Sequence, residues 1–275
     1  MTHLPGVGFG FRRAFAQVVP LIHTQNELEL DDALRASLRD AEPFTTRTRY
    51  GLADAGVAQG AVAFQAGFAF RALHAPAPGK GEEEEEGDRD PRRNGSTALY
   101  VGAGPKYLYG VAYGDVRAVA GATTGDTLLG SGDPVALDVA ARTRHAVTGG
   151  DGGSGHGKGA DVGAVLYYSN IEFGIGVNDL SSEISWKITE RRHVYSDSLN
   201  EFTTTETAID REFTSRIPVT TTINVAKRWG DTTVAADLVD GPLSTAIHLG
   251  AEMWMGRLAM RAGTYRDAND QWQLT

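Results

Sequence analysis

The strongest candidate for chemistry in the sequence is a glycine-rich stretch near the middle of the chain. Residues Gly152 to Gly159 contain the G-x-x-x-x-G-K pattern of a phosphate-binding loop. Such a loop needs Ser or Thr after the lysine to bind magnesium, and a helix whose N-terminus faces the phosphate. Here Gly159 follows Lys158, and the next residues alternate as in a strand. We therefore expect a connecting loop rather than a nucleotide site.

Other patterns of catalysis or metal binding are missing from the sequence. It has no Cys, and its 7 His occur without ligand spacing. It also lacks the G-x-S-x-G motif of serine hydrolases. The run from Glu82 to Glu86 predicts a solvated loop rather than a calcium site. We expect no catalytic residue, no metal site and no cofactor.

Composition and charge exclude further classes of protein. The 275 residues carry a net charge of -9, with 26 Lys and Arg against 35 Asp and Glu, so nucleic acid is not an expected partner. Every uninterrupted apolar stretch is far shorter than the ~20 residues of a membrane-spanning helix. The first residues lack the pattern of a signal peptide. We predict a single domain over residues 1–275.

Alternation of apolar and polar residues with a period of two runs through most of the chain and predicts an all-β fold. One row of each run is apolar and the other holds small or polar residues. Strands are predicted at 6–18, 57–74, 97–121, 134–147, 161–168, 171–190, 216–229, 232–240, 245–255, 258–266 and from 271 onward.

Three two-residue turns are predicted between matched strands, at 169–170, 230–231 and 256–257. The last turn fixes a register that can be checked. It places Met253 opposite Met260 and Glu252 opposite Arg261.

Counting strands predicts that the three short turns share one end of the sheet. Long loops at 75–97, 148–160 and 191–215 are then expected at the other end, provided that the 171–190 run is one long strand bent near Asn178-Asp179 and Ser181-Ser182. Short turns at one rim and long loops at the other are typical of antiparallel up-and-down transmembrane β-barrels of the bacterial outer membrane. The segment 24–41 is predicted to be a helix on the side of the short turns, which would be the periplasmic side.

In such a barrel the polar row of each strand faces the lumen. These residues are candidates for lining a pore or binding site, or for charge pairs that merely satisfy the interior; in a soluble fold they would form the solvent face. Tyr168, Trp229 and Trp254 lie near the short turns, as an interfacial aromatic girdle would. The candidate lumen residues are Gln65, Arg71, Asp138, Arg142, Glu172, Asn224, Asp237, His248, Glu252 and Arg261.

The segments 171–186, 216–241 and 247–267 resemble the second half of FadL-like outer-membrane barrels, most closely the PorV-like barrels of type IX secretion and the TraF-like barrels of conjugal transfer. Leu180, Ser181 and Asn224 depart from this pattern, since the family commonly has Gly there. The resemblance implies an exported barrel engaged in hydrophobic solute uptake or secretion-substrate shuttling, and it assigns no binding residue. The matching residues are Asn178, Ile184, Trp186, Pro218, Ala236, Asp237, Gly250, Glu252, Arg261, Gly263 and Tyr265.

The sequence thus predicts an outer-membrane barrel with 10 to 12 strands in this chain, which passes or binds hydrophobic small molecules or assists export. Its expected partners are outer-membrane lipid and a hydrophobic small molecule or secretion component. We also expect a fragment, because the last residues end part-way into a strand. The alternative is a soluble all-β binding or structural protein, a sandwich or a lipocalin-like barrel, whose apolar rows would face a dry interior.

Overall fold

The computed structural model of the chain is an antiparallel all-β structure with one short helix. It describes residues 2–3, 7–11, 13–76, 96–127, 135–147, 155–196, 200–242, 244–255, 258–266 and 272–274. The elements are β1 Thr2–His3, β2 Val7–Phe11, β3 Ala14–Leu30, α1 Asp32–Arg39, β4 Arg49–Ala75, β5 Thr97–Thr123, β6 Ala136–Val147, β7 Gly155–Tyr168, β8 Ile171–Ser196, β9 Glu201–Arg216, β10 Thr220–Trp229, β11 Thr232–Asp240, β12 Thr245–Met255, β13 Leu258–Arg266 and β14 Trp272–Leu274.

All strands formed by the described residues belong to one 14-stranded sheet, in which most neighbours in sequence are neighbours in space. Two rows of the sheet are shared by two strands each. β6 and β7 both lie between β5 and β8, and β9 and β10 both pair with the other edge of β8. In each row the two strands run in the same direction, one continuing the line of the other.

The hairpin predictions are confirmed. Tyr168 pairs with Ile171, Trp229 with Thr232 and Met255 with Leu258, so the three turns lie at one end of the sheet, called here the turn end. Glu252 lies opposite Arg261, as the register predicted. The turn conformation is visible at Ser169 and Gly230, whose φ angles of 57° and 58° fit two-residue hairpins.

The prediction that 171–190 is one bent strand is also confirmed, because β8 is continuous from Ile171 to Ser196. Its irregularity lies where β7 pairs with it, and the register shifts on both sides of the Ala160 and Leu180 pair. Asp179 and Ser181 have φ angles of 61° and 55° there. These positive angles let β8 absorb extra residues as bulges while its pairing with β7 continues on both sides of them.

The predicted arrangement of long loops is wrong. Ala75 pairs with Thr97, so the 75–97 connection lies at the turn end together with the short turns, and its residues 77–95 lie outside the described part of the chain. Residues 155–160 of the predicted 148–160 loop belong to β7. Residues 148–154 lie outside the described part of the chain. Val147 and Gly155, on either side of them, pair with neighbouring positions in the middle of β5, away from both ends of the sheet.

The predicted loop at 191–215 is a β-ribbon formed by the end of β8 and by β9. Its polarity concealed the strand, although the consecutive β-branched residues Thr203, Thr204 and Thr205 favour extended backbone. The strand predicted at 6–18 also needs correction, because Phe11 pairs with Ala14 and a tight turn divides it into β2 and β3.

The predicted helix at 24–41 is only partly helical, because its first seven residues, 24–30, belong to β3. β3 continues to Leu30, where it pairs with Leu52, and the helix is only Asp32–Arg39. Asp31 caps the N-terminus of the helix, since its carboxylate accepts a hydrogen bond from the Leu34 amide at 2.8 Å. The helix connects β3 to β4 at the end opposite the three short turns, called here the helix end, so its predicted side is also wrong.

Contacts across the sheet show that it curls around one of its faces. Gln59 on β4 donates to the Arg216 carbonyl of β9 at 3.2 Å and accepts from the Ser215 hydroxyl at 2.6 Å. In the sheet these two strands are separated by β5, the β6/β7 row and β8. The enclosed side is called here the inner face, and the opposite side the outer face.

Candidate functional site

The polarity of the two faces is the reverse of that in a water-soluble protein. On the outer face Phe64, Phe173 and Met253 are 48%, 47% and 41% exposed. On the inner face Gln65 and Lys106 are only 6% and 7% exposed. Since a soluble fold buries its apolar row, the outer face of this sheet is suited to an apolar surrounding.

One inner cluster is built around a buried lysine. The Lys106 ammonium lies 2.6 Å from a carboxylate oxygen of Asp161 and 2.7 Å from one of Asp179. The amide of Gln65 donates to Asp161 at 2.7 Å, and Ser182 donates to Asp179 at 3.2 Å. One lysine thus neutralises part of a two-carboxylate site, and the second oxygen of Asp179 is buried without a hydrogen-bond partner.

The bulges of β8 position this cluster. Asp179 is fully buried at its positive φ, and its backbone amide donates to the Asp161 carboxylate at 2.8 Å. Without the bulge the pleat would carry this side chain toward the other face, because each added residue reverses the alternation.

A second inner cluster lies nearer the helix end. Arg144 on β6 forms a two-point ion pair with Asp115 on β5, with the Nε to carboxylate oxygen distance at 2.9 Å. The Tyr113 hydroxyl donates to the same carboxylate at 2.9 Å. The Arg144 guanidinium lies 4.3 Å from the ring centroid of Phe213, a cation–π contact from β9.

A compact apolar core separates the two clusters along the strands. The Trp186 ring packs against Tyr113, with centroids 5.5 Å apart, and its indole nitrogen donates to Ser215 at 2.8 Å. It lies over Gly110 and Gly155, where an added Cβ would come within 2.5 Å of the indole. These two positions therefore have to be glycine for the tryptophan to lie flat against the sheet.

The core has a cavity on each side. The cavity toward the helix end has a volume of about 350 Å³, and Tyr113, Asp115 and Arg144 line it. The cavity toward the turn end has a volume of about 390 Å³, and Gln65 and Asp161 line it. Both volumes match those of small-molecule sites, and each cavity combines apolar walls with a few charged groups.

The structure places the ten predicted lumen residues on the inner face, in different surroundings. Asn224, Asp237 and His248 lie side by side on three neighbouring strands. Glu252 forms an ion pair with Arg261 across the β12–β13 hairpin. Their role in binding or transport stays a prediction.

The other predicted residues are scattered. Gln65 joins the Lys106 cluster, whereas Asp138 is exposed toward the helix end and pairs with Arg49 at 2.8 Å. Arg142 lies beside the Arg144 ion pair, and Arg71 and Glu172 lie near the turn end. The structure brings no more than three of the ten together.

Sequence reasoning missed the residues at the centre of both clusters. Lys106 was visible as a lone charge in the small-residue row of β5, and Asp115 as an acidic residue further along the same strand. Their partners could not be found, since Asp161 and Asp179 meet Lys106 only through the β7 register and the β8 bulges.

No described helix is long and apolar enough to cross a membrane. Within the described ranges no group of His, Asp and Glu side chains could hold a metal ion. Fold and site together define an antiparallel all-β protein with an apolar outer face and a charged inner face. Comparison with protein-family models, curated proteins and solved structures finds no match to this chain, and the FadL-like resemblance stays a prediction from its motif residues.

Proposed function

We propose that this chain is the transmembrane β-sheet of a bacterial outer-membrane barrel protein that binds or passes hydrophobic small molecules, or assists export. The observation that carries the proposal is the reversed polarity of the sheet, with apolar side chains on the outer face and buried charges on the inner face. Outer-membrane strands alternate in this way because hydrocarbon surrounds them and water or polar groups fill their interior.

Aromatic residues at the turn end support the proposal. Tyr168 and Trp229 are 60% and 52% exposed and lie directly before two of the short turns. Amphipathic aromatic rings concentrate where a bilayer meets water. Trp254, the third aromatic residue near the short turns, lies on the inner face, where its indole donates to Glu252, so it takes no part in such a girdle.

The core around Trp186 favours binding or gated passage over an open pore. Its side chains fill the inner face between the two cavities, and Trp186, Leu108 and Ile184 are fully buried. A molecule moving from one cavity to the other would have to displace this core. The cavity at the turn end, with Phe15 and Tyr100 on its wall, is the better candidate for a hydrophobic ligand.

Heat-modifiable migration in detergent gels, combined with membrane fractionation, tests the proposal. The folded chain should migrate differently from the boiled chain and should fractionate with the outer membrane. Titration with a fluorescent fatty acid then tests hydrophobic binding, and Tyr100→Ala should weaken it while Tyr195→Ala, far from that cavity, should leave it unchanged. A monodisperse soluble monomer without detergent would refute the membrane assignment.

A further inference from the structure

Three arginines form a continuous row across the inner face near the helix end. Arg117 on β5 pairs directly with Arg142 on β6, and Arg142 pairs directly with Arg192 on β8. Directly paired residues of antiparallel strands point to the same face, with Cβ atoms about 5 Å apart. Three arginine side chains therefore leave the sheet side by side on one face.

Two of the nearby carboxylates are already paired with other cations. Asp115, diagonal to Arg142, holds the two-point ion pair with Arg144. Glu190, on the same face of β8, lies 3.5 Å from Arg211. Glu27 on β3 lies directly opposite Ala55, and Ala55 lies directly opposite Arg117, so two strand spacings separate Glu27 from Arg117.

The row itself lacks a counter-charge. Among the residues that the structure describes, Arg117, Arg142 and Arg192 form no ion pair with any carboxylate. The Nε of Arg142 is also buried without a hydrogen-bond partner. Like charges placed directly opposite each other destabilise a sheet, and a buried unpaired donor costs further free energy. Both costs are removed if an anion lies between the guanidinium groups.

We propose that Arg117, Arg142 and Arg192 bind a small oxyanion of the phosphate class. A guanidinium presents parallel N–H donors that match two oxygens of one phosphate group, and three such groups can surround its oxygens and neutralise its charge. Thr205, directly opposite Arg192, adds a hydroxyl to the same face. The site is independent of the proposed membrane function, because it requires only the register of β5, β6 and β8.

Calorimetric titration of the full chain with inorganic phosphate tests this site, with sodium chloride at equal ionic strength as the blank. Wild-type protein should show saturable binding at one site. Arg142→Gln should raise the dissociation constant for phosphate about tenfold or more, because each pair of charge-assisted hydrogen bonds contributes at least a tenfold gain in affinity. Arg117→Gln should act in the same direction, and its exposed side chain can be removed without disturbing the fold.

Arg191→Gln is the matched control. It removes the same charge from the neighbouring residue of β8, but Arg191 lies on the opposite face and pairs with Glu206 at 3.1 Å. The dissociation constant of this variant for phosphate should stay within about twofold of the wild-type value, since the removed charge acts on the site only at long range and is screened by salt. Absence of saturable phosphate binding in the wild-type protein, or equal weakening by Arg191→Gln, would overturn the proposal.

Discussion

Replacing an apolar residue in the middle of the outer face distinguishes a bilayer from water as its surrounding. Ile175 on β8 is 50% exposed and lies directly opposite Ile223 on β10. It is four residues from the start of its strand, about 13 Å at ~3.3 Å per residue, or roughly half of an apolar band ~25 Å tall. Ile175→Arg would therefore place a charge near the middle of the hydrocarbon.

The expected loss of folding free energy is about 2 to 4 kcal/mol, the cost measured for Arg at the bilayer midplane of a barrel. In a water-soluble protein the same exposed substitution would change stability by about 0.5 kcal/mol or less. The assay is equilibrium unfolding by guanidinium in phospholipid vesicles, followed by the fluorescence of the 4 Trp residues.

Thr222→Arg supplies the control on the same pair of strands. Thr222 lies on the inner face opposite Gly176, where an added side chain has open space. Its cost should stay below about 1 kcal/mol, because the charge enters a polar interior. If Ile175→Arg lowers the free energy of unfolding no more than Thr222→Arg does, the outer face does not contact hydrocarbon, which would refute the membrane assignment.

Three further substitutions test the two inner-face sites and the β8 bulge by the same unfolding assay. Lys106→Met should destabilise the fold by about 3 to 5 kcal/mol, because Asp161 and Asp179 lose their buried counter-charge; a loss below 1 kcal/mol would show that the cluster is solvated. Ser181→Gly should stabilise the fold by about 1 kcal/mol, since its φ of 55° is strained for a side chain, and a loss of stability would contradict that. Trp186→Ala should cost about 3 to 5 kcal/mol as the core empties, whereas a near-neutral result would mean that the two cavities are already connected.

Local alternation predicted most of the strands, the three short turns and the face on which side chains lie outside the bulges. Phe64 and Gln65 are adjacent in sequence and lie on opposite faces, as a period of two requires. Turn residues fixed the hairpin registers equally well, because a two-residue turn leaves one pairing for its strands. The end of β3 and the strand β9 were exceptions. The polar end of β3 has the spacing of an amphipathic helix, but it pairs with β4 as a strand. The polarity of β9 concealed its pairing with β8.

Non-local pairing is what the sequence could not reveal. The sequence of residues 136–168 does not show that β6 and β7 lie end to end between the same two strands. This arrangement depends on the lengths of β5 and β8, which pair with both of them. The same pairing brings Asp161 to Lys106 and Arg142 to Arg117. Predicting the clusters would therefore have required the registers first.

The most direct test of the outer and inner faces uses the absence of Cys from the chain, since any introduced Cys is unique. A fluorophore attached after Phe173→Cys should be strongly quenched by brominated lipid in vesicles, because Phe173 lies on the outer face. The same fluorophore attached after Glu172→Cys, on the inner face, should be quenched far less. Equal quenching at both positions, or none at position 173, would contradict the account.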